Sequence, residues 1–223
     1  MGPWYRTPGE WLPGAKSVVS FFFPITKDIR ENNAAMTEHA SPEWASARFE
    51  GQHFLEAFIR ELGKRMEEQG FKAVVPILSA DFAVVRAGRS DVLAVPADTP
   101  ADTYASNWSE RHAAYVCGLG TFSLTRGMIT EKGMAGRFVS FVTDAELPAD
   151  ARDYEGIYDR CLGCGVCAAR CPVGAIDPVT GKDQLKCAAF NAASRDLFSP
   201  RYGCGLCQTG VPCEDCIPGR QKA

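Results

Sequence analysis

The chain has 223 residues, 46% of them hydrophobic, enough to bury the core of one large domain or of a medium domain and a small one. Its formal net charge is −3 and it has no run of lysine or arginine, which excludes a large nucleic-acid footprint as the default. No stretch of about 18 or more apolar residues occurs, so no membrane-spanning helix and no membrane partner are expected.

Leu12-Pro13-Gly14-Ala15-Lys16 is turn chemistry leading into Ser17 to Phe23, a continuous apolar run stopped by Pro24. Such a run predicts a central strand buried on both faces. Residues 26 to 39 are polar with poor periodicity, which predicts a loop or lid with some helix. Ser41-Pro42-Glu43 offers an N-cap with proline at the first helical position. The long helix that follows carries Leu55, Phe58, Ile59, Leu62 and Met66 on one stripe and stops at Gly70. Residues 72 to 77 and 82 to 85 predict strands, with a further short one at 92 to 95.

A second helix starts around Ser106 and Asn107, either of which would cap it, with Ser109 or Glu110 bonding back to the cap. It runs through His112 to Cys117 and stops at Gly118-Leu119-Gly120. Residues 129 to 134 predict a turn or hairpin entry, and 137 to 143 alternate as a strand. The order β-α-β-β-α-β predicts an α+β domain with a mixed sheet and packed helices over residues 1 to 153, in which 145 to 153 act as a linker. Residues 154 to 223 form the second unit.

That second unit is defined by cysteine. Nine of the ten cysteines fall between Cys161 and Cys216, and the first group reads Cys161-x2-Cys164-x2-Cys167-x3-Cys171-Pro172. This is the spacing by which bacterial ferredoxins hold a [4Fe-4S] cluster, with the cysteine before the proline serving a second one. Cys187 stands alone, and Cys204-Gly205-Leu206-Cys207 is followed by Cys213 and Cys216. Two cubes are expected, one on Cys161, Cys164, Cys167 and Cys213, the other on Cys171, Cys187, Cys204 and Cys207. Cys216, before Ile217-Pro218, competes with Cys213 for its place. Paired zinc sites would account for the Cys-x2-Cys pairs but not for the x2-x2-x3-Cys-Pro run. A disulfide framework suits neither the length of the chain nor the clustered spacings. Thiolates kept for clusters imply a reducing compartment, the cytoplasm of an organism with anaerobic habits.

Outside the cysteines, Asp102 and Tyr104 stand just before the second helix, where they can donate protons in a cleft at its N-terminus; an ordinary loop is the plainer alternative. His112 has no acid at a fixed spacing, and such a residue is more often part of a helix face than a ligand. Gly118-Leu119-Gly120-Thr121-Phe122-Ser123 follows a helix and has Ser123 where a dinucleotide loop has its third glycine, so it marks backbone passing close to something flat, a cofactor or another strand. Cys117 reads as a buried small apolar residue, and Arg137 as the partner of an anionic cofactor group or of Asp144. The candidate cofactor-binding positions are Asn107, His112, Gly118, Gly120, Thr121, Phe122 and Arg137.

In their order, the Leu12-Pro13-Gly14-Ala15-Lys16 turn, Glu110-Arg111 leading to Gly118-Leu119-Gly120, the first cysteine run, the lone Cys187 and Gly203-Cys204-x2-Cys207 resemble the epoxyqueuosine reductase family, with reductive dehalogenases as remoter relatives. The resemblance implies a nitroreductase-like α+β domain holding base-off cobalamin beside a ferredoxin-like domain with two [4Fe-4S] clusters. Electrons would pass from the clusters to cobalt, giving a cob(I)alamin that opens an epoxide or removes a halide. An electron donor protein of ferredoxin or flavodoxin type would supply them. The chain departs from the family in three places. It has no helical-repeat region after the clusters, so a small-molecule substrate is expected rather than tRNA. Thr121-Phe122-Ser123 replaces the usual continuation of Gly-Leu-Gly. Tyr104 stands where the family has its proton-donating aspartate, with Asp102 nearby. A ferredoxin-type carrier or reductive activator, or the same architecture with FMN, are the competing readings.

Overall fold

The structure is a computed structural model and describes residues 3 to 220. Its first part contains α1 (Pro8–Trp11), β1 (Ser17–Pro24), α2 (Lys27–Ala34), α3 (Pro42–Glu68), β2 (Ala73–Val74), β3 (Val84–Arg86), β4 (Tyr104–Ser106), α4 (Glu110–Val116), β5 (Gly120–Phe122), β6 (Met128–Thr130) and β7 (Gly136–Thr143). The cysteine-bearing part adds α5 (Val166–Ala169), β8 (Ile176–Asp177), β9 (Gly181–Lys182), α6 (Gln184–Ala193) and α7 (Arg195–Phe198), with a 3-10 turn at Leu206–Gln208.

Three strands form the central sheet in the order β1-β7-β2, with both pairings antiparallel. This corrects two expectations. The sheet is not mixed, and β1 lies on its edge, all its residues half-buried or exposed, while β7 is central. An apolar run reports that both faces are covered, but not whether both edges are. On one face Val19, Phe21, Val139 and Phe141 pack against Leu55, Phe58, Ile59 and Leu62 of α3. The other face sets Val18 and Val142 against Trp108 and Ala113 at α4, and Phe138 against Ala114, Phe122 and Met128. The layers are therefore α3, sheet, and α4 with the β5-β6 hairpin. Leu55 and Ile59 are almost wholly buried, and each such side chain contributes about 2 kcal/mol.

The capping signals act unevenly. Ser41 caps α3 as expected, its Oγ accepting from Trp44 N at 3.1 Å. In α4 the cap is Ser109, not Ser106 or Asn107. Ser106 ends β4, and Asn107 is fully buried, its Oδ1 accepting from Ala83 N at 2.9 Å and its Nδ2 donating to Asp81 O at 2.8 Å. Residues 27 to 34 form a regular helix, and residues 92 to 95 form no strand.

Candidate iron–sulfur and substrate site

The cysteine-rich segment packs tightly onto the first part of the chain. Arg170 donates from Nε to Leu206 O at 2.9 Å and from Nη2 to Ala34 O and Met36 O at 3.1 and 3.2 Å. Buried Asn33 donates to Thr209 Oγ1 at 2.9 Å. Arg30 meets Glu214 and Asp215 at 2.9 and 3.2 Å. Two glycines permit the close approach. Gly133, with φ +72°, passes under the Glu214-Asp215 backbone, where a Cβ would come within 2.3 Å of Glu214 O. Gly205, with φ +68°, lies against the Trp44 ring, and a Cβ there would sit 2.0 Å from it.

Four sulfurs ring one cavity. Cys161, Cys164, Cys167 and Cys213 line a space of about 350 Å³, counting its open mouth, together with apolar Leu124, Ile129, Met134 and Val211. Cys213 belongs to the set by electrostatics as well: burial pushes its thiol up to about 12, with the sulfurs of Cys167, Cys161 and Cys164 adding to the shift. Cys216, by contrast, directs its Sγ towards Pro212 O at 3.7 Å. The geometry thus favours Cys213 over its competitor.

The second set gathers from more distant positions. Burial raises the Cys204 thiol to about 11 and the Cys207 thiol to about 12; Cys187 and Cys171 add to the first, Cys204 and Cys187 to the second, and Lys182 pulls both back. Cys171 Sγ accepts from Ala175 N at 3.2 Å, and Asn191 Nδ2 lies 3.5 Å from Cys187 Sγ. Hydrogen bonds of this kind to cluster sulfurs set reduction potentials. Cys207 also feels Cys167, so the two sets adjoin.

Desolvated thiols with mutually repelling sulfurs do not ionise by themselves; a cationic iron core supplies the missing compensation. Zinc would draw four thiolates to about 2.3 Å from one ion. Sulfurs spread around a cavity fit a cube, each on its own iron.

The candidate proton donors lie elsewhere. Asp102 is exposed in a turn, and Tyr104, 40% exposed in β4, has the Arg86 guanidinium 5.4 Å from its ring centre. Arg111 is electrostatically linked to both this edge and the second sulfur set, since Tyr104, Cys207 and Cys187 all favour its charge. Its side chain reaches solvent, yet desolvation depresses its pKa. Beside it, Glu110 has both carboxylate oxygens buried, with the Ser140 and Trp108 side chains as its nearest polar company and no well-formed hydrogen bond. Burial raises its pKa to about 7, and nearby Ser140 and Trp108 pull it only partly back. Neither Arg111 nor Glu110 announces this role in sequence. The available signal is a charged pair opening a helix whose next residues are small and apolar.

The other expected cofactor contacts are engaged locally. His112 holds Ser109 Oγ at 2.8 Å through Nδ1, and burial lowers its pKa, keeping it neutral. Gly118, with φ +88°, ends α4 against Ala151. Gly120 pairs with Thr130 of β6, and a Cβ there would meet the Ile129 carbonyl at 2.2 Å, so the flat neighbour is another strand. Thr121 Oγ1 accepts from Arg160 N at 3.0 Å, and Phe122 packs in the core. Arg137 does not reach Asp144, whose Oδ1 accepts from Lys72 N at 2.8 Å. It donates instead to Gln52 Oε1, and its Nε is buried without a partner. Cys117 is half-buried, with its Sγ 3.4 Å from Val18 O.

The arrangement defines an iron–sulfur protein on an α+β frame, and comparison with known proteins gives that class a setting. Residues 154–177 match the 4Fe-4S binding domain family, a span that holds Cys161, Cys164, Cys167 and Cys171. No curated protein matches the sequence. Among solved structures, the catabolic reductive dehalogenase NpRdhA superposes with a TM-score of 0.57 at 17% identity, over 91% of this chain and 26% of its own. A reductive dehalogenase structure described in terms of B12-dependent dehalogenation gives 0.56 at 17%, over 91% and 26%. Epoxyqueuosine reductase from Streptococcus thermophilus gives 0.52 at 16%, over 99% of this chain and 57% of that one. The chain therefore spans about a quarter of the dehalogenases and little more than half of the epoxyqueuosine reductase. The fold is that of these reductases, the two families that the sequence resembles.

Proposed function

We propose that this chain is a cobalamin-dependent reductase, in which a nitroreductase-like domain holds a base-off corrinoid and two [4Fe-4S] clusters supply it with electrons for the reduction of a small-molecule substrate. The observation that carries the reading is the gathering of the second sulfur set, in which Cys204 feels Cys187 and Cys171 and Cys207 feels Cys204 and Cys187, close enough to Arg111 for Cys207 and Cys187 to favour its charge. The residues suit a corrinoid in chemistry. Arg111 could hold its carboxamides or phosphate, clusters on the two sulfur sets would stand near that charge, and His112 is already bound to Ser109. When bound, the corrinoid supplies a strongly reducing, nucleophilic metal centre.

The chain's own residues divide the remaining work. Exposed Cys164, with exposed Leu162, Ile157 and Tyr158 in the same segment, offers an electron donor protein its entry at the first set. The second set would pass electrons on to the bound group. Reductive cleavage of a carbon–halogen bond consumes two electrons and one proton, which goes to the product carbon, and releases halide; cleavage of a carbon–oxygen bond consumes a second proton, taken up by the departing oxygen. Tyr104 Oη would deliver the proton to carbon, with Asp102 as the other candidate acid.

Electron paramagnetic resonance of anaerobically reconstituted protein with cob(II)alamin tests this reading. The cobalt signal is expected to lose its nitrogen superhyperfine splitting as the corrinoid binds base-off. A signal that stays that of free, base-on cobalamin would refute the corrinoid reading and turn attention to FMN or to electron relay alone.

A further inference from the structure

Three arginines from three elements gather around Tyr202 and Gln52, and a fourth, Arg111 of α4, adds its charge to theirs; none of them forms an ion pair with a carboxylate among the described residues. Arg48 of α3 has its guanidinium 3.9 Å from the centre of the Tyr202 ring and donates to Tyr202 O at 3.4 Å. Arg195 of α7 approaches the same ring at 4.2 Å. Arg137 of β7 runs past Gly51 of α3 to Gln52 and leaves its buried Nε unpartnered. Its charge is opposed by those of Arg48 and Arg111, while Tyr202 and Glu56 favour it. Glu56 is occupied in accepting from Gln52 Nε2 at 3.1 Å. None of the four arginines belongs to an ion pair among the described residues, whereas neighbouring Arg201 is paired with Glu50 at 2.5 Å.

Like charges gathered in a partly desolvated place destabilise the protein unless an anion joins them. Arginine forks suit carboxylate and phosphate oxygens, which they bind in pairs. A chain of net charge −3 has acids to spare for a structural pairing, yet none is in an ion pair with these arginines among the described residues.

We propose that Arg48, Arg111, Arg137 and Arg195 form an oxyanion site, taking the carboxylate or phosphate of a small ligand. The anion can come from the substrate or from the nucleotide phosphate of a corrinoid, and the site exists whether or not a corrinoid binds.

Calorimetric titration of the reconstituted full chain with inorganic phosphate, at constant ionic strength, tests the site directly. Wild type is expected to bind phosphate, the Arg48→Met/Arg137→Met double variant at least ~10-fold more weakly, and exposed Arg65→Met on α3 unchanged. Arg195→Met, at an exposed position, is expected to bind several-fold more weakly with its fold intact, and decides the matter should the double variant misfold. Phosphate binding that is undetectable in wild type, or equal in wild type and Arg195→Met, would overturn the proposal. The source of the anion follows from competition. If cobalamin displaces phosphate while cobinamide, which lacks the nucleotide, does not, the site holds the corrinoid's phosphate. If phosphate still binds beside cobalamin, the site serves the substrate.

Discussion

Replacing Cys213 with alanine is expected to remove at least one iron from the first cube, lowering iron from about eight to about seven or fewer per chain, whereas Cys216→Ala leaves about eight. The two cysteines are three residues apart on one loop, and spacing alone does not separate them. What separates them is direction. Cys213 closes the ring begun by Cys161, Cys164 and Cys167 around a shared cavity, and its main-chain carbonyl accepts from Met134 N at 2.9 Å, which fixes the loop against the β6-β7 turn. Cys216 looks back at Pro212. Iron analysis of the two variants, purified without oxygen, checks the assignment. Equal iron loss in both would show that the loop rearranges on cluster assembly.

Glu110 gives the second large effect. Its folded-state pKa of about 7 lies above the ordinary carboxylate value of 4.5. The sign follows from linkage. A carboxyl that is harder to ionise in the folded state contributes fully below its unfolded pKa, and its contribution is lost as the pH rises through the folded one. Wild-type stability is therefore expected to fall by about 1 kcal/mol between pH 6 and pH 8 on account of this group. Glu110→Gln, which keeps the shape and removes the charge, abolishes that part of the slope and is the more stable protein at pH 8. Denaturant titrations of both proteins at the two pH values check it. Parallel pH dependence in wild type and variant would show that Glu110 is ionised throughout and has partners in solution.

The parts of this molecule that were legible in sequence are those fixed by short-range chemistry. The cysteine run spells out a cluster loop because three thiolates must reach one cube from consecutive turns, and Ser41-Pro42 marks the start of α3 because the cap lies within one turn of its partner Trp44 N. Features set by long-range contact were not legible. The apolar run of β1 told of covered faces and not of its place at the sheet edge. Asn107 read as a cap or cofactor contact, yet it fastens the chain before α4 to the segment 81–83. Gly120 signalled a close neighbour, and only the hairpin shows that the neighbour is β6. The arginine cluster joins residues 48, 111, 137 and 195; of these only Arg137 reads in the sequence as facing an anion, and the cluster takes shape only where α3, α4, β7 and α7 meet.

The central claim is that this chain holds two cubes on the two sulfur sets. Iron and acid-labile sulfide analysis of anaerobically reconstituted protein, with electron paramagnetic resonance after reduction, measures it most directly. The account predicts about eight of each per chain and the broadened spectrum of two neighbouring, spin-coupled clusters. About four iron with a single uncoupled signal, or zinc in place of iron, would contradict it.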